Sequence, residues 1–170
     1  MGIGTALFMS SILSGLVATA VMLVFLYLPL LWGGVFYDSL GAAGALVTKK
    51  VDGRSRLLGT LFLFIGGVLF AFFYGWFVLM FTNGPFPAPE YVVFPYSTAP
   101  VNLFYPLFGL VMGLGQGIFL SLITTFIVTD FRPLEGYRNA VALILSYLIG
   151  HMVYGVVVMF FQAQLLQLLL

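Results

Sequence analysis

Tyr147, His151 and Tyr154 recur at helical spacing inside a long apolar run, and they carry the most reactive side chains of the chain's hydrophobic segments. Residues at i, i+4 and i+7 share one face of a helix, so an imidazole and two phenol hydroxyls form one polar strip. His151 is the sole histidine. A ring that ionises near neutral pH is expensive in hydrocarbon, so by default it marks a functional site that needs a partner. Gln116, in the middle of the preceding apolar run, is the natural partner, because an amide buried in hydrocarbon must find a hydrogen bond inward. The economical arrangement pairs Gln116 with the Tyr147–His151–Tyr154 strip across a helix interface.

Three chemistries suit that cluster. A neutral His151 bonded to Gln116, a tyrosine hydroxyl or a freed carbonyl would lock helix register, typically for about 1 kcal/mol or less. The same strip is suited to the head group of a quinone or lipid in a cleft. Axial ligation of haem would need a second histidine from another chain or copy. A proton relay lacks an intramembrane carboxylate to pass the proton on.

The elements that must position these residues are membrane helices. The chain has 170 residues, 62% of them hydrophobic and 6% charged, which is the composition of an integral membrane protein. A spanning helix takes roughly 20 apolar residues to cross about 30 Å of hydrocarbon. Four runs qualify, over about 5–33, 57–82, 101–129 and 139–161, and none contains Asp, Glu, Lys or Arg. The fold class expected is an all-α membrane protein, a single domain over 1–170 with four transmembrane helices. No Lys or Arg precedes the first run and it is far longer than the apolar core of a signal peptide, so it is expected to be retained.

The basic residues fall in two loops: Lys49, Lys50, Arg54 and Arg56 after the first run, Arg132 and Arg138 after the third. Lys/Arg bias in short loops sets orientation, so both basic loops are expected to be cytoplasmic and both termini extracytoplasmic. The location implied is the plasma membrane of a prokaryote. Within the first loop, Asp38 is placed to cap a short interfacial helix with Leu40, Ala43 and Val47 on one side and Lys49 and Lys50 at its end. The middle loop, rich in proline, is expected to be extended and stiff. Its Phe86, Tyr91, Phe94 and Tyr96 read either as interfacial anchors or as a docking surface for a neighbouring subunit.

Apolar side chains gain little by leaving lipid for one another, so helix association depends on close backbone approach at small residues. Gly109, Gly113 and Gly117 recur at four-residue spacing in the third run, as do Ser11, Gly15 and Thr19 in the first; the second has Gly66-Gly67 and the fourth Gly150. The stretch F-I-G-G-V-L-F-A at 64–71 also matches L-I-G-H-M-V-Y-G at 148–155 in kind, with Gly67 facing His151, and Gly15–Val17 repeats as Gly109–Val111. The chain therefore reads as two helical hairpins of the same orientation, related by a pseudo-twofold axis along the membrane normal.

The chain resembles an uncharacterised family of small four-helix membrane proteins from archaea and bacteria. The likeness is carried by G-L-V-A-T-A-V-M at 15–22, by Asp38-x-Leu40-Gly41, by F-I-G-G-V-L-F-A and by H-M-V-Y-G at 151–155. It implies the four-helix fold and no particular chemistry.

With no cysteine and one histidine, thiolate metal sites and conventional metal clusters are excluded, and no nucleophile stands with a base. An enzyme is not expected. A net charge of +1 gives no case for nucleic acid. The leading reading is a small accessory subunit of a larger membrane complex, plausibly respiratory or photosynthetic, which packs against other integral membrane subunits and lipids. The alternative is a protein that binds or transports a hydrophobic small molecule at a His/Tyr/Gln cleft. No intrinsic cofactor is required by either; bound lipid, quinone or carotenoid would suit the aromatic second run, and self-association stays open.

The orientation is testable because the chain contains no cysteine. A membrane-impermeant maleimide should label Pro87→Cys in intact cells and Val51→Cys only after permeabilisation. The reverse pattern would place the basic loops outside.

Overall fold

The computed structural model describes residues 2–33, 38–93, 101–126 and 140–170. Arg132 and Arg138, and the loop aromatics Phe94 and Tyr96, lie outside the described residues. The helices are α1 (Ile3–Tyr27), α2 (Ser39–Thr48), α3 (Gly53–Asn83), α4 (Phe104–Phe126) and α5 (Ala140–Leu169). A 3-10 turn over Leu28–Trp32 continues α1. Four of these segments, Ile3–Leu31, Gly53–Asn83, Phe104–Phe126 and Ile144–Leu169, are long and apolar enough to cross a membrane. The strands β1 (Val92–Val93) and β2 (Val101–Asn102) pair antiparallel and pin the base of the middle loop. Phe86 and Tyr91 on that loop are exposed.

Local chemistry explains where the helices start. Asp52 and Ser55 form a reciprocal capping box at α3, with Ser55 N–H donating to Asp52 Oδ1 at 2.8 Å and Asp52 N–H donating to Ser55 Oγ at 2.9 Å. Asn102 Oδ1 accepts from the Phe104 amide at 3.0 Å as α4 begins. Asp38 caps α2 by accepting from the Gly41 amide at 2.8 Å, and it also receives the Tyr27 hydroxyl at 2.8 Å and Arg56 Nε at 3.0 Å. Partial burial opposes ionisation of that carboxyl, but the Gly41 amide, the Tyr27 hydroxyl and the Arg56 guanidinium outweigh it and hold its pKa below the usual carboxylate value.

Packing follows the glycines. A Cβ built on Gly109 would stand 2.1 Å from the Gly155 carbonyl oxygen, and one on Gly113 would stand 2.2 Å from that of His151. The backbones of α4 and α5 therefore touch, as small residues allow in a membrane. In the other hairpin a Cβ on Gly15 would lie 2.8 Å from Val68 Cα, and one on Gly67 would lie 1.9 Å from Thr19 Oγ1. The Thr19 hydroxyl is satisfied by the Gly15 carbonyl at 2.8 Å. Gly150 faces only the flexible Leu26 side chain. Gly66 departs from its expected role as a contact residue: no atom stands within 4 Å of a Cβ built there.

The short α2 starts at its Asp38 cap as expected, with Leu40, Ala43 and Val47 on the side turned away from the bundle. Its buried side is Ser39, Gly41, Ala42, Gly44 and Ala45, whereas Val47 is exposed. The reason is backbone contact with α3, since a Cβ on Gly44 would lie 1.6 Å from the Ser55 carbonyl oxygen and one on Gly59 would lie 1.8 Å from that of Leu40. Only the small-residue face can approach so closely, which leaves the larger Val47 outside.

The contacts also register the two hairpins against each other. Gly15 lies over the Gly67 carbonyl and Val68 Cα, and Gly113 lies over the His151 carbonyl and Met152 Cα. With Gly67 matched to His151, the counterpart of Gly15 is Gly113, one helical turn beyond Gly109. Thr19 then corresponds to Gly117, and the size order inverts: Thr19 faces Gly67 in one hairpin, while Gly117 faces His151 in the other, where a Cβ built on the glycine would lie 3.3 Å from that of His151. His151 fits because the facing helix presents glycine.

Adding a side chain to the α4–α5 contact should therefore be costly only on the buried face. Gly113→Val is expected to lower stability by about 2 kcal/mol, the cost of overpacking. Gly115→Val, at a position with no atom within 4 Å, should change it little. Thermal unfolding in one detergent compares the two.

Candidate functional site

α5 is the centre of the bundle: it packs on α4, on α1 and, less extensively, on α3, while α1 packs on α3. The counterpart of the α1–α5 seam would be an α3–α4 seam, and that one is open over half its length. At the end next to the middle loop, α3 and α4 meet through Phe81, which packs edge-on against Phe104 and Phe108, both with centroids 4.9 Å away. Two turns further in, the Tyr74 hydroxyl donates to Gln116 Oε1 at 2.9 Å. Beyond that bond, toward the basic loops, the helices line a cavity instead of touching.

The side chains at the seam explain why it stays open. Under the observed register the counterparts of Gln116 and Tyr74 are Ala18 and Val158, both fully buried in the core. A small apolar pair lets α1 and α5 close; a glutamine and a tyrosine, held end to end by a hydrogen bond, keep α3 and α4 apart.

The cavity has a volume of about 190 Å³ and takes lining residues from all four long helices. Its α5 wall is Tyr147, His151 and Tyr154; its α3 wall includes Leu63, Gly67 and Phe70, which are the repeat counterparts of those three. The polar strip thus faces its own apolar copy. Gln116, Leu120 and Thr124 of α4 and Thr19 and Met22 of α1 complete it, and Gly66 lines it with open space ahead. The expected cluster of Gln116, Tyr147, His151 and Tyr154 is therefore gathered at one site.

The bonding within the cluster differs from the direct Gln116-to-strip pairing expected from the sequence. Gln116 is bonded to Tyr74 of α3, a residue that sequence reading passed over among the many aromatics of that helix. The Tyr154 hydroxyl donates to the Gly67 carbonyl, and its ring packs edge-on against Tyr74 with centroids 5.9 Å apart. The Tyr147 hydroxyl is bonded to Thr124. His151 stacks on Tyr147, rings 16° from parallel, and its Nδ1 lies 2.7 Å from the Tyr147 carbonyl oxygen one turn back. A carbonyl only accepts, so Nδ1 carries the hydrogen. Nε2, on the far side of the ring, has no hydrogen-bond partner among the described residues, although His151 is only 7% exposed.

A second polar cluster was hidden in the sequence. Gln162 is fully buried between α5 and α1, donating to Ser10 Oγ at 2.8 Å and to Ser11 Oγ at 3.2 Å while accepting from Ser14. The glutamines of the C-terminal tail look like an exit from the membrane, yet α5 continues as helix to Leu169 with Ala163 and Leu166 also buried. A signal was present: the serines at 10, 11 and 14 give α1 a polar face that needed a counterpart. This clasp is complete within the bundle, whereas the cavity keeps two groups without partners.

No protein-family model, curated protein or solved structure matches the chain.

Removal of the clasp gives a measurable contrast. Gln162→Leu should cost about 1 kcal/mol of stability, within the range of interhelical hydrogen bonds in membranes, while Gln167→Leu, at an exposed position on the same helix, should be neutral. Equal effects in detergent unfolding would contradict the clasp.

Proposed function

We propose that this protein is a membrane-embedded binding protein for a hydrophobic small molecule, whose polar head lies in the cavity and whose apolar remainder leaves between α3 and α4. The observation that carries the reading is the convergence of Gln116, Tyr147, His151 and Tyr154 on one cavity opposite the apolar wall of α3. Ligand sites are concave and mostly apolar, with a few placed polar groups that fix orientation, and this cavity has that composition. Its size suits a single ring: an apolar cavity of ~150 Å³ holds benzene. Binding or carriage fits the lining better than catalysis, because the hydroxyls of Tyr154 and Thr19 are bonded to backbone carbonyls, that of Tyr147 is bonded to Thr124, and none of these bonds is to His151. The bundle sits in the plasma membrane of a prokaryote with both termini outside, which puts the cavity in the cytoplasmic half.

An accessory role in a larger complex rests on helix faces that a partner would cover. The outward face of α3, with Leu57, Leu61, Ile65, Leu69, Phe73 and Trp76 exposed, suits lipid as well as a neighbouring helix. The cavity is the more specific feature, and it supports the binding reading.

The test uses the open space before Gly66. Protein extracted gently from its native membrane should carry one hydrophobic small molecule near equimolar ratio, detected by mass spectrometry of the solvent extract. Gly66→Leu puts a side chain on the cavity wall at a position where a Cβ meets nothing within 4 Å, so that molecule should be lost while helicity and thermal stability are kept. Equal content in the two proteins, or only bulk lipid in both, would refute the reading.

A further inference from the structure

The unused hydrogen-bonding groups of the cavity specify the head group, on the premise that the cavity is a binding site. The tyrosine hydroxyls are all committed as donors or bonded within the bundle: Tyr74 to Gln116, Tyr154 to Gly67, Tyr147 to Thr124. Thr19 donates to the Gly15 carbonyl. Two groups remain without partners among the described residues. One is His151 Nε2, which is an acceptor because Nδ1 holds the hydrogen. The other is the amide nitrogen of Gln116, a donor, since its oxygen is taken by Tyr74. Among the described residues, no Asp, Glu, Lys or Arg lines the cavity.

We infer that the cavity takes a neutral hydroxyl head group, such as the phenolic O–H of a quinol or the alcohol of a prenol, with the O–H donating to His151 Nε2 and the Gln116 amide donating to an oxygen of the same head. A carbonyl-only head, such as that of a quinone, supplies acceptors and no donor, so it leaves Nε2 buried without a partner. A phosphate or carboxylate head finds no cation among the described residues of the lining. A buried acceptor left unpaired is penalised whenever the bound head excludes water, and the penalty falls on every ligand that lacks a donor. The stack of His151 on Tyr147 holds the ring plane and the bond to the backbone selects its face, so the imidazole cannot turn Nδ1 to the cavity without losing that bond.

The full-length protein, reconstituted in lipid nanodiscs and labelled with ¹⁵N-histidine, tests this with 4-hexylphenol and its methyl ether 4-hexylanisole. The ether is larger by one methyl group, whose steric effect persists in His151→Phe, and both accept, but only the phenol donates. Because the chain has one histidine, the nitrogen resonances need no assignment by mutation. Expected is binding of the phenol about tenfold tighter than the ether, with the Nε2 resonance moving upfield on phenol addition and Nδ1 staying protonated. In His151→Phe, which keeps the ring stack, the preference should shrink to what the methyl group alone causes. Equal affinities in the native protein, or a phenol preference that persists undiminished in His151→Phe, would overturn the hydroxyl assignment while leaving the binding reading in place. Failure of either probe to bind, together with unchanged small-molecule content in Gly66→Leu, would overturn both.

Discussion

Backbone contact between helices is the constraint on which the rest depends. In lipid there is no hydrophobic force to bring one apolar helix to another, so each interface must be made by atoms that fit closely or by hydrogen bonds. Glycine supplies the first along α4 and α5, where Gly109, Gly113 and Gly155 admit facing carbonyls at distances no side chain would tolerate. Gly15 and Gly67 do the same for α1 and α3, and Gly44 and Gly59 for α2 and α3. Gln162 and its three serines supply the second between α1 and α5.

The cavity is what remains when three of the four seams around the long helices meet that constraint and the α3–α4 seam does not. Two hairpins built alike would close two equivalent seams. One seam has Ala18 and Val158 at its positions and closes; the other has Gln116 and Tyr74 and does not. The same inequality appears at the inverted pair, Thr19 on Gly67 against Gly117 on His151. Small differences between the halves thus convert a pseudo-symmetric bundle into one with a single-sided site, polar on α5 and apolar on α3. His151 has its place because Gly117 leaves room for it, and its stacking and backbone bond hold the unused nitrogen in one position.

The four apolar runs, the glycines at 109, 113 and 117 and the shared face of Tyr147, His151 and Tyr154 were legible in the sequence, since each rests on helical periodicity or length alone. The repeat was legible too, but its register was not. Matching letters aligned Gly15 with Gly109, whereas contact geometry pairs it with Gly113, because depth along a crossing pair is set by which carbonyl meets which glycine. Gln162 was misplaced for a related reason: a glutamine near the end of an apolar run reads as an exit to water unless the serine face of the first helix is credited with pulling it in. Tyr74 was obscured by its many aromatic neighbours, which carry no mark of which ring points inward. Gly66 and Gly67 are adjacent and alike in composition, and only the fold separates the contact residue from the cavity residue.

The central claim is that α3 and α4 stand apart around a cavity occupied by a ligand head. An experimentally determined structure of the native protein in a lipid nanodisc, at a resolution that shows side chains, tests it most directly. The account predicts non-protein density extending between α3 and α4 with its polar end at hydrogen-bond distance from His151 Nε2, and Gln116 still bonded to Tyr74. A closed α3–α4 seam with Gln116 bonded directly to His151 would contradict it, and would make the histidine a device for fixing helix register.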